Sequence, residues 1–547
     1  MKHTIALLAA LLLAPLVELN AADKPRPNIL HIHADDHRAD GLHALGNPLL
    51  VTPNLDTLVE RGMTFTRAYT MGSMSGAVCT PSRTMMLTGR SWQRIPGARG
   101  ATPNAKDPTT FLPRVIQAAG YQTWHMGKAG NGFPAGLSEF QTSIRDEGEG
   151  GERAGNSRRL ADRTIEFLKS RAATNESKPF YIYLAPPVPH DPRSAEPQFH
   201  KLYDPAKIPL SPAFLPLHPF DNGEMAVRDE KLAPWPRTPE DTKQQLADYY
   251  ACITGLDHHV GRIFAELKAS GQWTNTIIIF SGDNGLSMGE HGLFGKQNLY
   301  EFGGMHVPLV IAGPGIPQGK SEALVYLMDL FPTFAEFAGA KNPDGVEGKS
   351  LVPILTGKEP KVRDVLYTAY RHCQRAIRDD RWKLIRYPLV DRTQLFDLSN
   401  DPLELTNLAT KPEHAAKVAE WMALLQKEMT AYADTTPLTV ANPQPAEWTP
   451  PARGSEPAKS AKKKSAAAKT PDAAIAPAAT TQPGGRIRVD SGKRFTNWDT
   501  NNDGFVTLEE FQLGQKNRKG LEATFKSFDK DGDGKVSREE FVTPAAK

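Results

Sequence analysis

"NILHIHADDH" at residues 28–37 and "TNTIIIFSGDNG" at residues 274–285 share one pattern. Each is a run of aliphatic residues that stops abruptly at acidic or amide side chains. A short apolar run of this kind reads as a strand buried on both faces. "YQTWHMGK" (121–128) and "KPFYIYLAPPVPHDP" (178–192) behave alike, ending near Lys128 and His190. Helical spacing fills the intervals, as in "TPNLDTLVERG", "TFLPRVIQAAG" and "LADRTIEFLKSRA". Strands alternating with helices predict an α/β fold with a mostly parallel central sheet flanked by helices, here over 23–345.

Ligands of open α/β sheets bind at the carboxyl ends of the strands. These strand ends would bring Asp35, Asp36, Asp283, Asn284, Lys128 and His190 to one place. Three carboxylates and an amide oxygen form an all-oxygen shell, which suits Ca²⁺, with Mg²⁺ as the weaker choice, rather than zinc. His31, His33 and His37 are nearby but are not assigned as ligands. A metal beside Arg and Lys residues is fitted to a tetrahedral oxyanion ester. "CTPSRTMMLTGR" (79–90) adds Cys79 and Arg83, with Pro81 and Ser82 expected to start a helix.

The chain has 547 residues, 39% hydrophobic and 23% charged, with a net charge of +3. That small charge gives no support for nucleic-acid binding. "MKHTIALLAALLLAPLVELNAADKP" has a positive start, an apolar run too short to span a bilayer, and small residues at Ala21 and Ala22. It reads as a signal peptide over 1–22, giving a periplasmic or secreted protein with no stable membrane insertion after cleavage. The three cysteines, Cys79, Cys252 and Cys373, make no disulfide framework. Cys252 lies in a helical pattern as a core thiol, and its pairing with Cys373 stays open.

A smaller α+β subdomain is expected over 346–438, from "RAIRDDRWKLIRYP", "TQLFDLSND" and an amphipathic helix around "EHAAKVAEWMALLQKEM". Residues 439–490 turn to Pro, Ala, Lys, Ser and Thr and are predicted to be a disordered linker. The tail, 491–547, repeats one loop pattern in "DTNNDGFVTLEE" (499–510) and "DKDGDGKVSREE" (529–540). Asp499, Asn501, Asp503, Phe505 and Glu510, then Asp529, Asp531, Asp533, Lys535 and Glu540, supply calcium ligands, Phe505 and Lys535 through their carbonyls. Gly504 and Gly534 make the sharp turns. This resembles an EF-hand pair, a separate helical module, and a structural calcium role is expected.

"CTPSR…LTGR", "DDHRADGLHALGN", "TPNLDTLVERGMTFTRAY", "SGDNGLSMGEHGLFGKQNLYE" and "QLFDLSNDPLELTNL" resemble the formylglycine-dependent sulfatases of the alkaline phosphatase superfamily, over residues 25–440. The resemblance implies an alkaline-phosphatase-like fold and a sulfuric ester hydrolase. It implies that a maturase oxidises Cys79 to formylglycine, so the lone thiol is a precursor. It makes Asp35, Asp36, Asp283, Asn284 and modified Cys79 the metal ligands. Arg83 would steady the modified residue, and Lys128 and Lys296 would bind sulfate oxygens. His190, with Lys296, would protonate the leaving oxygen, and Asp283 would take the attacking proton.

One departure stands out. Where the family commonly reads Gly-Lys-Trp-His, this chain has "GKAGNG", placing Gly130 at the histidine position. In the family that histidine contacts the formylglycine hydroxyl; Asn131 or a residue from elsewhere can fill that role here, and His125, preceding the motif, is not assigned it. His291, Arg228, Asp229, Glu230, Arg371 and His372 are candidates for contacts to the leaving group, whereas His258 and His259 read as structural. The expected substrate is a sulfate ester, of a carbohydrate by analogy. Two alternatives are a phosphomonoester or phosphonate monoester hydrolase, and a lapsed binder of sulfated glycans.

Overall fold

The structure, a computed structural model, describes residues 26–95, 110–130, 132–146 and 156–451, and in the tail 505–508, 511, 525, 529 and 533–537. The signal peptide over 1–22, Asn131, and the loop residues Asp499, Asn501, Asp503, Glu510, Asp531 and Glu540 lie outside the described residues. The chain divides into two compact units, Met1–Lys459 and Ser460–Lys547.

The first unit holds β1 (Asn28–Ala34), β2 (Met63–Tyr69), β3 (Gly72–Ser73), β4 (Gln122–Gly127), β5 (Thr142–Arg145), β6 (Phe180–Ala185) and β7 (Thr276–Gly282). It continues through β8 (His306–Val307), β9 (Leu309–Ala312), β10 (Gly319–Tyr326), β11 (Leu366–Tyr370), β12 (Gln374–Arg378), β13 (Trp382–Tyr387) and β14 (Arg392–Asp397). The large sheet runs β10-β2-β9-β7-β1-β6-β4-β5, with β8 also on β2. Pairings β1–β6, β1–β7, β4–β6, β4–β5 and β2–β10 are parallel, and those through β8 and β9 are antiparallel.

Both faces of this sheet are covered, which is why β1, β6 and β7 are buried at every position. Ile29, Tyr181, Tyr183, Ile277 and Ile279 pack with Met86, Leu112 and Phe331, from helices Cys79–Thr88, Leu112–Ala118 and Leu330–Ala338. On the other face Leu30, Ile32, Ile182, Leu184, Ile278 and Phe280 pack with Leu58, Leu160 and Leu256. Those three come from helices Pro53–Arg61, Asn156–Ala173 and Pro239–Ala269. Full burial of each such side chain contributes about 1.5–3 kcal/mol.

The second sheet, β14-β13-β12-β11-β3, is antiparallel except at its last pair. The last strand, β3, comes from the stretch just before Cys79: Gly72 and Ser73 pair with Ala369 and Tyr370. A side-chain carbon on Gly72 would lie 1.8 Å from the Ala369 carbonyl oxygen, so only glycine permits this approach. Helix Ala415–Ala431 covers this sheet through Trp421, Leu425 and Met429. The packing continues past residue 438. Ala446 and Trp448 join the same cluster, Trp448 meets Trp235 edge-on, and Ala446 O accepts Asp221 N at 2.7 Å. Residues 444–448 of the expected linker therefore pack on the folded unit, because two apolar anchors in a polar stretch suffice to hold them down.

All three cysteines are free and buried, so Cys252 and Cys373 do not pair. No helix among the described residues is long and apolar enough to cross a membrane. In the second unit, Phe505–Thr507 and Lys535–Ser537 form an antiparallel ribbon with Val506 opposite Val536. Val506 and Val536 pack with Phe511 and Phe525. Gly534 has φ +84°, and its N–H donates to Asp529 Oδ2 at 3.0 Å. Lys535 N donates to Asp533 Oδ1 at 2.8 Å, closing the turn on acidic side chains.

Candidate active site

The predicted residues converge at the carboxyl ends of the central strands. β1 delivers Asp35 and Asp36, β7 delivers Asp283 and Asn284, and β4 delivers Lys128, and all five are buried. Asp36 sits in the left-handed region at φ 61°, which a non-glycine residue adopts only when its surroundings hold it there. They do: Asp36 N donates to Asp283 Oδ1 at 3.0 Å, and Tyr249 OH donates to Asp36 O at 2.7 Å. That twist turns the Asp36 carboxylate toward Cys79, whose Sγ donates to Asp36 Oδ1 at 3.6 Å.

Helix Cys79–Thr88 starts at Cys79, not at Pro81 and Ser82 as expected. Proline lacks a donor that the whole first turn leaves unpaired anyway, so it marks that turn without marking its first residue. Arg83, one turn on, is completely buried. Its Nε donates to Asp283 Oδ2 at 2.8 Å and its Nη1 to Tyr183 OH at 2.9 Å, while Nη2 lies 3.8 Å from Asp35 Oδ1. Lys128 Nζ donates to Asp35 Oδ2 at 2.5 Å. Lys296 Nζ donates to Asp36 Oδ1 at 2.6 Å and to Cys79 Sγ at 3.1 Å. Asn284 Nδ2 donates to Asp36 Oδ1 at 2.8 Å, and His190 Nε2 lies 3.7 Å from Asp36 Oδ2.

Electrostatics follow from this packing. Burial pushes the Asp35 carboxyl upward, but Lys128, His190 and Arg83 outweigh it and hold it well below the usual range. For Asp36, burial is likewise outweighed by His190 and Lys296, which leave it at about 2. Burial dominates at Asp283, which is raised despite Arg83. It also dominates at Cys79, with Asp283 adding to it, so the thiol is held well above its normal range. A thiol that keeps its proton is a poor nucleophile, and unmodified Cys79 has little chemistry to offer.

The same cluster suits a hard cation. Ligand atoms of Asp35, Asp36, Cys79 and Asp283 all lie within 4.8 Å of one another. Asp35 Oδ1 and Asn284 Oδ1 are buried without a hydrogen-bond partner. Orphaned carboxylate and amide oxygens at one point are what an oxygen-liganded divalent ion would satisfy.

The remaining candidates divide. Arg228 pairs with both Asp191 and Asp229, and Asp229 Oδ2 accepts Gln297 Nε2 at 2.7 Å, next to Lys296. Arg371 pairs with Glu224, while Tyr370 OH donates weakly to Gly76 O at 3.4 Å in the loop leading to Cys79. His372 is exposed beside them. His291 does not join the site: its ring stacks on Tyr300 at 3.9 Å, and burial lowers it to about 3. Glu230 is buried and binds backbone N–H groups of Phe294 and Gly295 rather than facing a substrate.

The other histidines have local partners. His31 Nε2 and His33 Nδ1 both meet Ser281 Oγ at 2.8 Å. His37 Nδ1 meets Arg38 O, His125 bridges Ser143 Oγ and Lys128 O, and His259 binds Glu196. His258 packs against Phe199. Tyr183, Tyr249, Asp191 and Gln297 are site neighbours that sequence reasoning missed. The tyrosines sit in apolar patterns and read as core, and only their hydroxyl partners reveal them.

Comparison with known proteins shows the family and the fold. A family model described as Sulfatase matches residues 27–340, one described as N-sulphoglucosamine sulphohydrolase, C-terminal, matches 289–432, and one for an EF-hand domain pair matches 490–543. An N-acetylglucosamine-6-O-sulfatase of Bacteroides thetaiotaomicron is 27% identical, over 79% of this chain and 91% of that protein. A choline-sulfatase of Rhizobium meliloti is 30% identical, over 71% and 83%. Two solved structures each align at 25% identity and TM-score 0.64. One is a protein in complex with its substrate D-glucosamine-2-N,6-O-disulfate, with 76% of this chain and 99% of that one covered. The other is the phosphonate monoester hydrolase of Agrobacterium radiobacter, with 75% and 97% covered.

Proposed function

The chain belongs to the sulfatase family and is a sulfuric ester hydrolase, and from that premise we propose an exported enzyme that removes sulfate from carbohydrate esters, using formylglycine made from Cys79 and a bound Ca²⁺. The observation that carries the reading is Cys79 at the head of a buried helix, its sulfur within reach of Lys296 and Asp36. A maturase acting on the unfolded "CTPSR" segment is the implied partner, since Cys79 is 1% exposed in the fold. The carbohydrate class rests on the N-acetylglucosamine-6-O-sulfatase and on the glucosamine disulfate complex. Periplasmic or secreted location rests on the leader-like sequence at 1–22. The domain reading, a catalytic part, a C-terminal subdomain and an EF-hand pair, is part of the same proposal.

Asp35, Asp36, Asp283 and Asn284 would hold the calcium ion, which when bound supplies positive charge beside the ester oxygens. Hydrated formylglycine offers one hydroxyl to attack sulfur and a second whose deprotonation expels sulfate and restores the aldehyde. Asp283, raised by burial, takes the proton of the attacking hydroxyl. Arg83 fixes Asp283, and Lys128 and Lys296 neutralise the ester oxygens. His190, its Nδ1 set 2.6 Å from Asp191 O, turns Nε2 inward, where with Lys296 it delivers a proton to the leaving oxygen. Arg228, Asp229, Arg371 and His372 line the approach of the leaving group. In the tail, Asp529, Asp533 and the carbonyls of Phe505 and Lys535 belong to two calcium loops.

Peptide mass analysis of protein from a maturase-competent host tests the reading: the Cys79 peptide should carry an aldehyde in place of the thiol. Fully active enzyme with an intact thiol would sink it. The equal likeness to the phosphonate monoester hydrolase favours one second reading, hydrolysis of phosphonate or phosphate monoesters. Parallel rates on an aryl sulfate and the matching aryl phosphonate decide between the two.

A further inference from the structure

Lys296 has no secondary structure of its own to hold it, yet its ammonium must sit between Asp36 and Cys79. We propose that Glu230, with Arg237, is the positioning device for Lys296; this rests on the role given to Lys296 above. Glu230 lies in the short turn Asp229–Leu232 and is 3% exposed. One carboxylate oxygen, Oε2, accepts Phe294 N at 2.9 Å, and the other, Oε1, accepts Gly295 N at 2.9 Å. Both donors are the peptide N–H groups immediately before Lys296.

The next peptide, Gly295–Lys296, is held by its carbonyl as well. Gly295 O accepts Ser287 N at 3.0 Å and Asn298 Nδ2 at 3.0 Å. Gly295 leaves room for the strut: a side-chain carbon there would lie 2.9 Å from Glu230 Oε1 and 2.5 Å from Gln297 Oε1 and would push both side chains aside. Another on Gly304 would lie 1.7 Å from Lys296 O.

Arg237 completes the device. Its Nη2 pairs with Glu230 Oε2, its Nη1 donates to Glu230 O at 2.9 Å, and its Nε donates to Gly292 O at 3.3 Å. The guanidinium lies 4.5 Å from the Trp235 ring centre and 5.0 Å from that of Phe294. A carboxylate in so dry a place needs a strong reason to be there, since isolated burial of its charge is costly. Gripping two consecutive amides and an arginine gives it fixed geometry, and that geometry ends at Lys296. Glu230 touches no reacting atom; it acts through Lys296.

A double-mutant cycle on the full chain tests this. Glu230→Gln should lower kcat/KM on a sulfate ester by about tenfold to a hundredfold, the scale of a reactive group misplaced by about 1 Å. It should also weaken binding of inorganic sulfate, measured by calorimetry. In the Lys296→Met background the same substitution should change either quantity by less than about twofold, because nothing is left to position. Equal losses in both backgrounds would overturn the proposal in favour of general stabilisation. If Glu230→Gln does not fold, Glu230→Asp keeps the charge for Arg237 but withdraws from the two amides, and goes through the same cycle. Lys296→Met with unchanged turnover and sulfate affinity would overturn the Lys296 assignment itself, before Glu230 is altered, and this inference with it.

Discussion

Replacing Lys128 by methionine isolates the tension in the site. Lys128 Nζ and Asp35 Oδ2 lie 2.5 Å apart with side chains 6% and 0% exposed. Removing one partner of such a pair leaves a desolvated charge and typically costs about 3–5 kcal/mol. Arg83 Nη2, 3.8 Å from Asp35 Oδ1, offsets a share, so the lower end, about 3 kcal/mol, is expected. The unit is Met1–Lys459. At about 2.1 cal/mol/K per residue, a folded body of this size has an unfolding entropy of roughly 1 kcal/mol/K, so Tm should fall by about 3 °C. That loss should appear in chelator. In calcium the ion would supply the missing positive charge, and the gap between variant and parent should close to less than about half. Near-UV circular dichroism melts of both proteins in both buffers give the answer, since any calcium effect of the shared tail cancels in the difference. An equal loss with and without calcium would refute Asp35 as a ligand, and no loss in chelator would refute the ion-pair accounting.

Other substitutions probe other parts. Cys79→Ala should abolish sulfate release, while Cys79→Ser should leave at most a single slow turnover, seen as a burst of product without steady release. Tyr183→Phe removes the acceptor of Arg83 Nη1 and should destabilise by about 1–3 kcal/mol, with a matching fall in kcat, read from denaturant melts and initial rates. Asp257 accepts Leu55 N at 2.7 Å at the start of helix Pro53–Arg61, yet burial lifts it from 3.8 to about 6. The folded protein thus holds a proton that the unfolded chain has released, so stability should fall as pH rises from about 4 to 6. Asp257→Asn should flatten that part of the stability profile, and an unchanged slope would reject the assignment.

Much of this protein was legible without coordinates. β1 and β7 are buried throughout and lead straight into Asp35–Asp36 and Asp283–Asn284, the mark of central strands. Strand ends and family motifs point to Asp35, Asp36, Asp283, Asn284, Lys128, His190 and Lys296, and the fold brings them to one point. Strand ends were readable because the polarity change at a buried strand's last residue is local. His291 was not: its neighbours suggest the site, but stacking on Tyr300 depends on a chain reversal that no spacing encodes.

What the sequence determined by itself, then, is the set of strands, the residues at their carboxyl ends and the two loop patterns of the tail, because periodicity, charge and turn chemistry act over a few residues. Only tertiary structure decided that Gly72 and Ser73 would leave the main sheet to pair with β11, and that Tyr183 would brace Arg83. It alone decided that a glutamate some sixty residues upstream would grip the amides before Lys296. Those contacts join segments remote in the chain, and their energy comes from closing buried polar groups that each segment leaves open on its own.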